Sequence, residues 1–371
     1  MEHSASHAQQ HYLPSLDGLR AICIVLVLGS HAALSTGFPP ELRHWTQFVF
    51  NGKVGVLAFF VISGFLITYL LLREEDRFAS ISLRSFYARR AVRILPVYFA
   101  YLGVVAALDL VSRLDLSRCQ YLTAVSFTKN FGCSAWVDGH LWSLAVEEQF
   151  YLLWPLTLVW GTQRTRAVAA LLVVLVAPVA RAALYWLGLK EASLYSFPAN
   201  MDALMAGCLL AFVLVRHEAK GEEFFAKYVS LGRFCAVASI YLVVALTTNA
   251  IGGPFTVPFG TSVQAFAAAY LIGSYVVVRR GASYSILNLR PVAFVGVLSY
   301  SIYIWQQLYF TNARSVGWPE LGLLEFPGNI AAATVTGAAS YILLERPLLR
   351  LRKKLSSSRT NVPVAAAAAR D

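Results

Sequence analysis

Arg20 precedes His31 by eleven residues. On a helix that spacing puts them about 16 Å apart on nearly the same face. One channel would then carry a guanidinium at its mouth and a titratable imidazole deeper inside. Glu147 and Glu148 stand side by side in Leu141-Trp142-Ser143-Leu144-Ala145-Val146-Glu147-Glu148-Gln149-Phe150-Tyr151. Adjacent helical side chains point in different directions, so at most one of the two is expected to face the interior. If Glu147 reaches the depth of His31, the two form a base and its orienting carboxylate, an arrangement that activates a hydroxyl. Arg90 and Arg93, in Phe86-Tyr87-Ala88-Arg89-Arg90-Ala91-Val92-Arg93-Ile94-Leu95-Pro96, share a helix face. Guanidinium forks on one face suit a phosphate or pyrophosphate. Plainer readings stand beside these: Arg20 as a membrane-surface anchor, His31 at the interface, one glutamate among headgroups, and the arginines on anionic lipid.

Ser63 lies in Phe59-Phe60-Val61-Ile62-Ser63-Gly64-Phe65-Leu66. A Ser-Gly pair within an apolar helix permits close helix approach or a kink, and this reading is favoured over a nucleophilic Ser63. Asp202, in Asn200-Met201-Asp202-Ala203-Leu204-Met205-Ala206-Gly207, is a buried acid or the cap of its helix.

The elements that position these residues are set by composition. Of 371 residues, 57% are hydrophobic and 14% charged, with a mean hydropathy of +0.58. A soluble domain of this length needs more polar surface. The apolar residues fall in runs at 17–35, 54–72, 94–112, 141–160, 167–187, 197–215, 234–251, 261–278, 291–310 and 329–348. Such runs match helices crossing a bilayer core of about 30 Å, and backbone groups in lipid must be satisfied within the segment. The alternating ten-residue pattern of a membrane β-barrel is missing. The expectation is an all-α integral membrane protein of about ten transmembrane helices. The net charge of +11 sits at the ends of the runs and no nucleic-acid motif accompanies it, which argues against nucleic acid as a partner. Most of the 31 Lys and Arg fall in alternate connections, so both termini are expected to be cytoplasmic. Residues 1–16 read as a disordered cytoplasmic N-terminus without the features of a cleaved signal, 17–350 as the membrane domain, and 351–371 as a cytoplasmic low-complexity tail. The long connection 113–140 holds Cys119 and Cys133, which are open to a disulfide in an oxidising compartment. Cys23, Cys208 and Cys235 read as small packing residues.

Taken together, these stretches resemble the acyltransferase-3 family of membrane acyltransferases, the group of O-antigen, Nod-factor and exopolysaccharide O-acetylases. The resemblance runs from Leu16-Asp17-Gly18-Leu19-Arg20 to Glu345-Arg346-Pro347. It rests on Arg20 and His31, Phe59-Phe60-x-x-Ser63-Gly64, Arg90-x-x-Arg93, Trp142 to Glu147, Asp202-Ala203-Leu204, Ser299-Tyr300-Ser301-Ile302-Tyr303 and Ser340-Tyr341-x-x-x-Glu345-x-Pro347. It implies transfer of an acyl group, most often acetyl, from cytoplasmic acyl-CoA to a hydroxyl of a cell-surface or lipid-linked glycan, in the bacterial cytoplasmic membrane and without a metal. The expected roles are CoA phosphate binding for Arg90, Arg93 and Arg20, and base or transient acyl carrier for His31 with Glu147 positioning it. Ser63, Asp202, Tyr300 and Gln306 are expected to contact the acceptor or to be structural. The chain departs from the family where members often carry a histidine, here Trp305-Gln306-Gln307, and where a basic residue often precedes the aspartate, here Asn200-Met201. Any esterase-like partner activity is expected on a separate periplasmic chain. Membrane lipid is the other expected partner. Two alternatives remain open from the residues: an acceptor such as a macrolide, and a multi-pass transporter, against which stands the lack of an evident internal repeat.

Overall fold

The computed structural model describes residues 13–112, 114–215, 219–251, 256–319 and 321–350. The tail expected at 351–371, and residues 1–12 of the expected N-terminal segment, lie outside the described residues. Each of the ten apolar runs is a helix: α1 Pro14–Ala32, α2 Gly52–Phe78, α3 Leu83–Val111, α4 Leu141–Trp160, α5 Gln163–Trp186, α6 Phe197–Val215, α7 Leu231–Ile251, α8 Thr261–Val277, α9 Arg290–Tyr309 and α10 Gly328–Ser340. No strand forms among the described residues. The first helix starts at Pro14 rather than at 17, since proline favours the first turn, where its missing N–H would be unsatisfied in any case.

Six helical segments are long and apolar enough to cross a membrane, or seven if the pair Gly221–Tyr228 and Leu231–Thr247, bent by 78°, is one span. The helices α4, α9 and α10 fall short of that measure. Helix α4 carries Glu147, Glu148 and Gln149, α9 carries Gln306 and Gln307, and α10 is short and runs into a π turn, Tyr341–Glu345. Polar groups at mid-helix lower the hydropathy of these three segments, which carry residues that face the cavities described below.

Helices α2 and α6 lie in close backbone contact. A Cβ on Gly64 would overlap the Leu204 carbonyl, and one on Gly207 would overlap the Val61 carbonyl. The Ser63-Gly64 pair therefore does what small residues do in lipid, letting two backbones approach. Helix α9 approaches α1 the same way, with Gly296 against the Asp17 carbonyl. At the end of the bundle where α2 meets α3, Glu74 accepts from Arg89 at 2.8 Å, and Glu75 holds Arg166 of α5 through two bonds of 2.5 and 2.8 Å.

The opposite end is closed by the connection between α3 and α4. Ser117 and Gln120 form a capping box on a short helix, Arg118–Val125. Cys119 and Cys133 form a disulfide spanning 14 residues. Lys129, buried, is ion-paired with Asp138 and donates to the carbonyls of Gln120 and Cys133 at 3.0 and 2.7 Å. Closing a loop of this size contributes about 3 kcal/mol in the chain-entropy account. Replacing both cysteines by serine is therefore expected to lower the melting temperature of the purified protein and to speed proteolysis between 113 and 140. Unchanged values would mean that the Lys129–Asp138 pair holds the connection alone.

Candidate active site

Two adjoining cavities between the helices share the walls Val56 and Tyr303. The first, of about 80 Å³, is lined by Arg20 from α1, Ser63 from α2, Arg90 and Arg93 from α3, Glu147 and Tyr151 from α4, and Tyr300 from α9. The structure thus brings the three expected arginines together on one narrow space, from two helices remote in sequence. Arg90 lies over the rings of Phe86 and Tyr151, at 5.7 and 5.1 Å from their centroids. Neither Arg90 nor Arg93 forms an ion pair with a carboxylate among the described residues, and Arg20 is 4.0 Å from Asp17. Arg89, Arg166 and Arg181, by contrast, each have a carboxylate within 2.8 Å. The first cavity therefore has three guanidinium groups facing one carboxylate, Glu147, and its excess charge suits an anion.

Glu147 is held by Ser63, whose hydroxyl donates to Oε1 at 2.6 Å and lies 3.2 Å from the Tyr151 hydroxyl. Ser63 thus positions a carboxylate as well as letting α2 approach α6. The Tyr300 hydroxyl donates to the Ile94 carbonyl at 2.8 Å, which ties α9 to the arginine-bearing helix.

The second cavity, of about 680 Å³, lies toward the disulfide-bonded connection and is lined by His31, His140, Trp136, Trp142, Asn130 and Gln307, among others. His31 Nδ1 is 2.7 Å from Gln306 Oε1. The Gln306 amide nitrogen donates to Gln307 Oε1 at 3.0 Å, so the oxygen of Gln306 is the atom presented to the imidazole. An amide oxygen only accepts, so Nδ1 carries the proton and Nε2 keeps its lone pair. The edges of Trp136 and Phe310, with centroids at 5.6 and 6.0 Å, hold the ring.

This arrangement corrects the expected pairing of His31 with Glu147. The partner of His31 is Gln306, and Glu147 belongs to the arginine cavity. Asp202 lines neither cavity. It takes two bonds from Arg181, of 2.9 and 2.7 Å, and one from Ser262 of 2.6 Å, so it is a structural acid tying α5, α6 and α8. Arg181 is buried, and its place inside the apolar run 167–187 is the sequence feature that marks it as a paired charge.

His140 was not singled out from the sequence, although it directly precedes the Leu141-Trp142 stretch. It is buried at the start of α4, and Nε2 faces the Ile304 carbonyl at 3.0 Å. Burial, with the neighbouring His31 adding to it, pushes His140 down to about 3, so it is neutral at physiological pH. Tyr303, on the wall shared by both cavities, lies 2.6 Å from Ser143 Oγ and donates to the His140 carbonyl at 3.1 Å.

A family described as Acyltransferase domain matches residues 13–345. Among known proteins, the chain is 26% identical over 371 residues to the O-acetyltransferase OatA of Staphylococcus aureus (strain NCTC 8325 / PS 47), covering 92% of this chain and 58% of that protein. It is 28% identical over 376 residues to the putative peptidoglycan O-acetyltransferase YrhL of Bacillus subtilis (strain 168), covering 92% and 56%. It is 28% identical over 366 residues to the peptidoglycan O-acetyltransferase OatA of Listeria monocytogenes, covering 90% and 54%. The chain thus spans little more than half the length of these relatives. No solved structure matches it. With a match that runs through nearly all the described helices and takes in both cavities, the chain belongs to the acyltransferase-3 (Acyltransferase domain) family.

Proposed function

We propose that this chain is a membrane O-acetyltransferase that moves an acetyl group from cytoplasmic acetyl-CoA to a hydroxyl of a cell-surface or lipid-linked glycan. In this reading it sits in the bacterial cytoplasmic membrane with ten spans, both termini cytoplasmic, and the arginine cavity opening inward. The observation that carries the reading is the meeting of two unlike cavities at Val56 and Tyr303. One has an excess of guanidinium charge and the other holds a histidine with a free ring nitrogen. The names of the relatives support acetyl as the group and a glycan as the acceptor.

Arg90, Arg93 and Arg20 hold the phosphates of the donor, whose thioester supplies the activated acetyl group. The acceptor hydroxyl enters the histidine cavity. His31 Nε2 takes its proton as the acceptor oxygen forms the ester bond and the carbon–sulfur bond breaks, and the proton then passes to the departing thiolate sulfur, which leaves as the thiol of CoA. Gln306 keeps His31 in the tautomer this step requires. Membranes expressing the chain, given labelled acetyl-CoA, are expected to carry label on a sugar hydroxyl. No label in the presence of native glycan and folded protein would overturn the proposal.

Removing one charge-assisted contact to a phosphate removes about 1.5–3 kcal/mol of binding. Arg93→Ala is therefore expected to raise the KM for acetyl-CoA by about tenfold or more, with a smaller change in kcat, measured by initial rates in membranes. An unchanged donor KM would take the arginines out of the donor site.

A further inference from the structure

Trp136 stands between the histidine cavity and a third one. It is 43% exposed and borders both. The third cavity, of about 270 Å³, is walled by the disulfide-bonded connection and by Leu34, Thr311, Asn312 and Ser315. Phe310 lines it too, so both rings that hold His31 are also walls of this space. The indole is pinned. Its Nε1 donates to the Phe310 carbonyl at 3.1 Å. Asp138 accepts from the Ala135 backbone N–H at 2.7 Å and pairs with Lys129, which fixes the short helix Trp136–Gly139 that carries the ring. A tryptophan of the membrane–water belt points its N–H at the headgroups, whereas this one spends it on a buried neighbour. A rigid aromatic ring gives contact area at little cost in rotamer freedom, so an open indole held against the reacting histidine is a platform for a ligand.

We propose that the third cavity takes the neighbouring sugar of the acceptor glycan, stacked by its C–H face on Trp136, while the sugar to be acetylated occupies the histidine cavity. The inference rests on the proposed function and makes the acceptor a saccharide of at least two residues. The chemistry of the walls suits this occupant. A gluco-configured ring carries its C–H bonds axially, and these weakly positive faces pack on the negative face of an indole. Thr311, Asn312 and Ser315 supply polar groups for hydroxyls, and no Lys, Arg, Asp or Glu lines the cavity among the described residues, which favours a neutral ligand over an ion. Because Trp136 also touches His31, a sugar chain laid across the indole is held next to the imidazole.

The probes are fragments of one, two and four sugars cut from peptidoglycan, the glycan named for the relatives, each retaining the hydroxyl that is acetylated. Wild type in membranes is expected to gain about tenfold in kcat/KM from one sugar to two, the order of an aromatic contact with its buried area. The readout is that ratio, because a merely structural change would lower the rates with both fragments together and leave the ratio alone. Trp136→Leu removes the aromatic face and should bring the ratio near one. Trp136→Phe keeps a face without the bond to Phe310 and should retain part of the gain. Ser315→Phe fills the third cavity from a residue that borders neither of the other two, and it should also lose the gain. Absence of a gain between one and two sugars in wild type, whether or not longer chains are used, would overturn the inference and leave the proposed function standing. A gain that survives Trp136→Leu or Ser315→Phe, or that is lost as fully in Trp136→Phe as in Trp136→Leu, would do the same. Failure of wild type to acetylate any fragment or native glycan would overturn both.

Discussion

His31→Ala is expected to lower acetyl transfer in membranes by about 10²–10⁴-fold, the usual contribution of a positioned general base. The protein should still assemble, because His31 sits one residue from the end of α1 and its hydrogen bond is to a single side chain, Gln306. The informative comparison is Gln306→Leu. It leaves the imidazole in place but removes the acceptor that keeps the proton on Nδ1, so the ring can present either tautomer to the acceptor hydroxyl. The expected loss is about tenfold, the order of one hydrogen bond of about 1–1.5 kcal/mol, and it should fall on kcat rather than on the KM for acetyl-CoA. The measurement is the rate of label transfer, with protein amount and melting temperature as controls. A His31→Ala variant with near-normal transfer would remove this histidine from the reaction. A Gln306→Leu variant as inactive as His31→Ala would mean that Gln306 itself touches the acceptor.

The roles of Gln306 and Glu147 mark where the sequence could be read and where it could not. Apolar run length located seven of the ten helices to within a few residues; α2 runs on to Phe78, α10 gives way to a π turn after Ser340, and α3 begins at Leu83 and takes Arg90 and Arg93 into its regular part. That extension is why the spacing argument for a shared arginine face worked. Depth was harder to judge. His31 lies about 1.5 Å from the end of α1, while Glu147 lies about 9 Å into α4 from the same end of the bundle, at 1.5 Å per residue. The helices place the two groups in different cavities, and a depth estimate good to two turns cannot separate them. The azimuth of each helix was not legible at all, since α1 and α9 meet through Gly296 and Asp17, nearly 280 residues apart. Gln306 reaches His31 only because of that contact. Trp136 and His140 come from the irregular connection, where periodicity carries no information and where a disulfide and a buried ion pair set the path. Asp202 shows the opposite failure. Its type and burial were read correctly, but a buried acid signals chemistry only when its partner is not already another side chain.

That partner leads to the largest expected effect on stability. Arg181 and Asp202 are 2% and 0% exposed, and their contact is bidentate. Arg181 also donates to the Pro258 carbonyl at 2.9 Å and to Ser262 Oγ at 2.6 Å, so one guanidinium joins α5 and α6 to the start of α8. Breaking a buried pair from one side leaves the other charge without compensation, at about 3–5 kcal/mol. Asp202→Asn is expected to lose stability of that order, read as a lower melting temperature in detergent and less protein in the membrane. A double replacement, Arg181→Met with Asp202→Leu, removes both charges and should recover much of the loss, since what destabilises the single variant is the orphaned guanidinium rather than the missing attraction. In the fraction of Asp202→Asn that folds, the KM for acetyl-CoA should be that of wild type, because neither residue lines the arginine cavity or the histidine cavity. Wild-type stability with lost transfer would reverse the assignment and make Asp202 a participant in the reaction. A double variant less stable than the single would mean that the arginine's bonds to Pro258 and Ser262, not its charge, hold the three helices together.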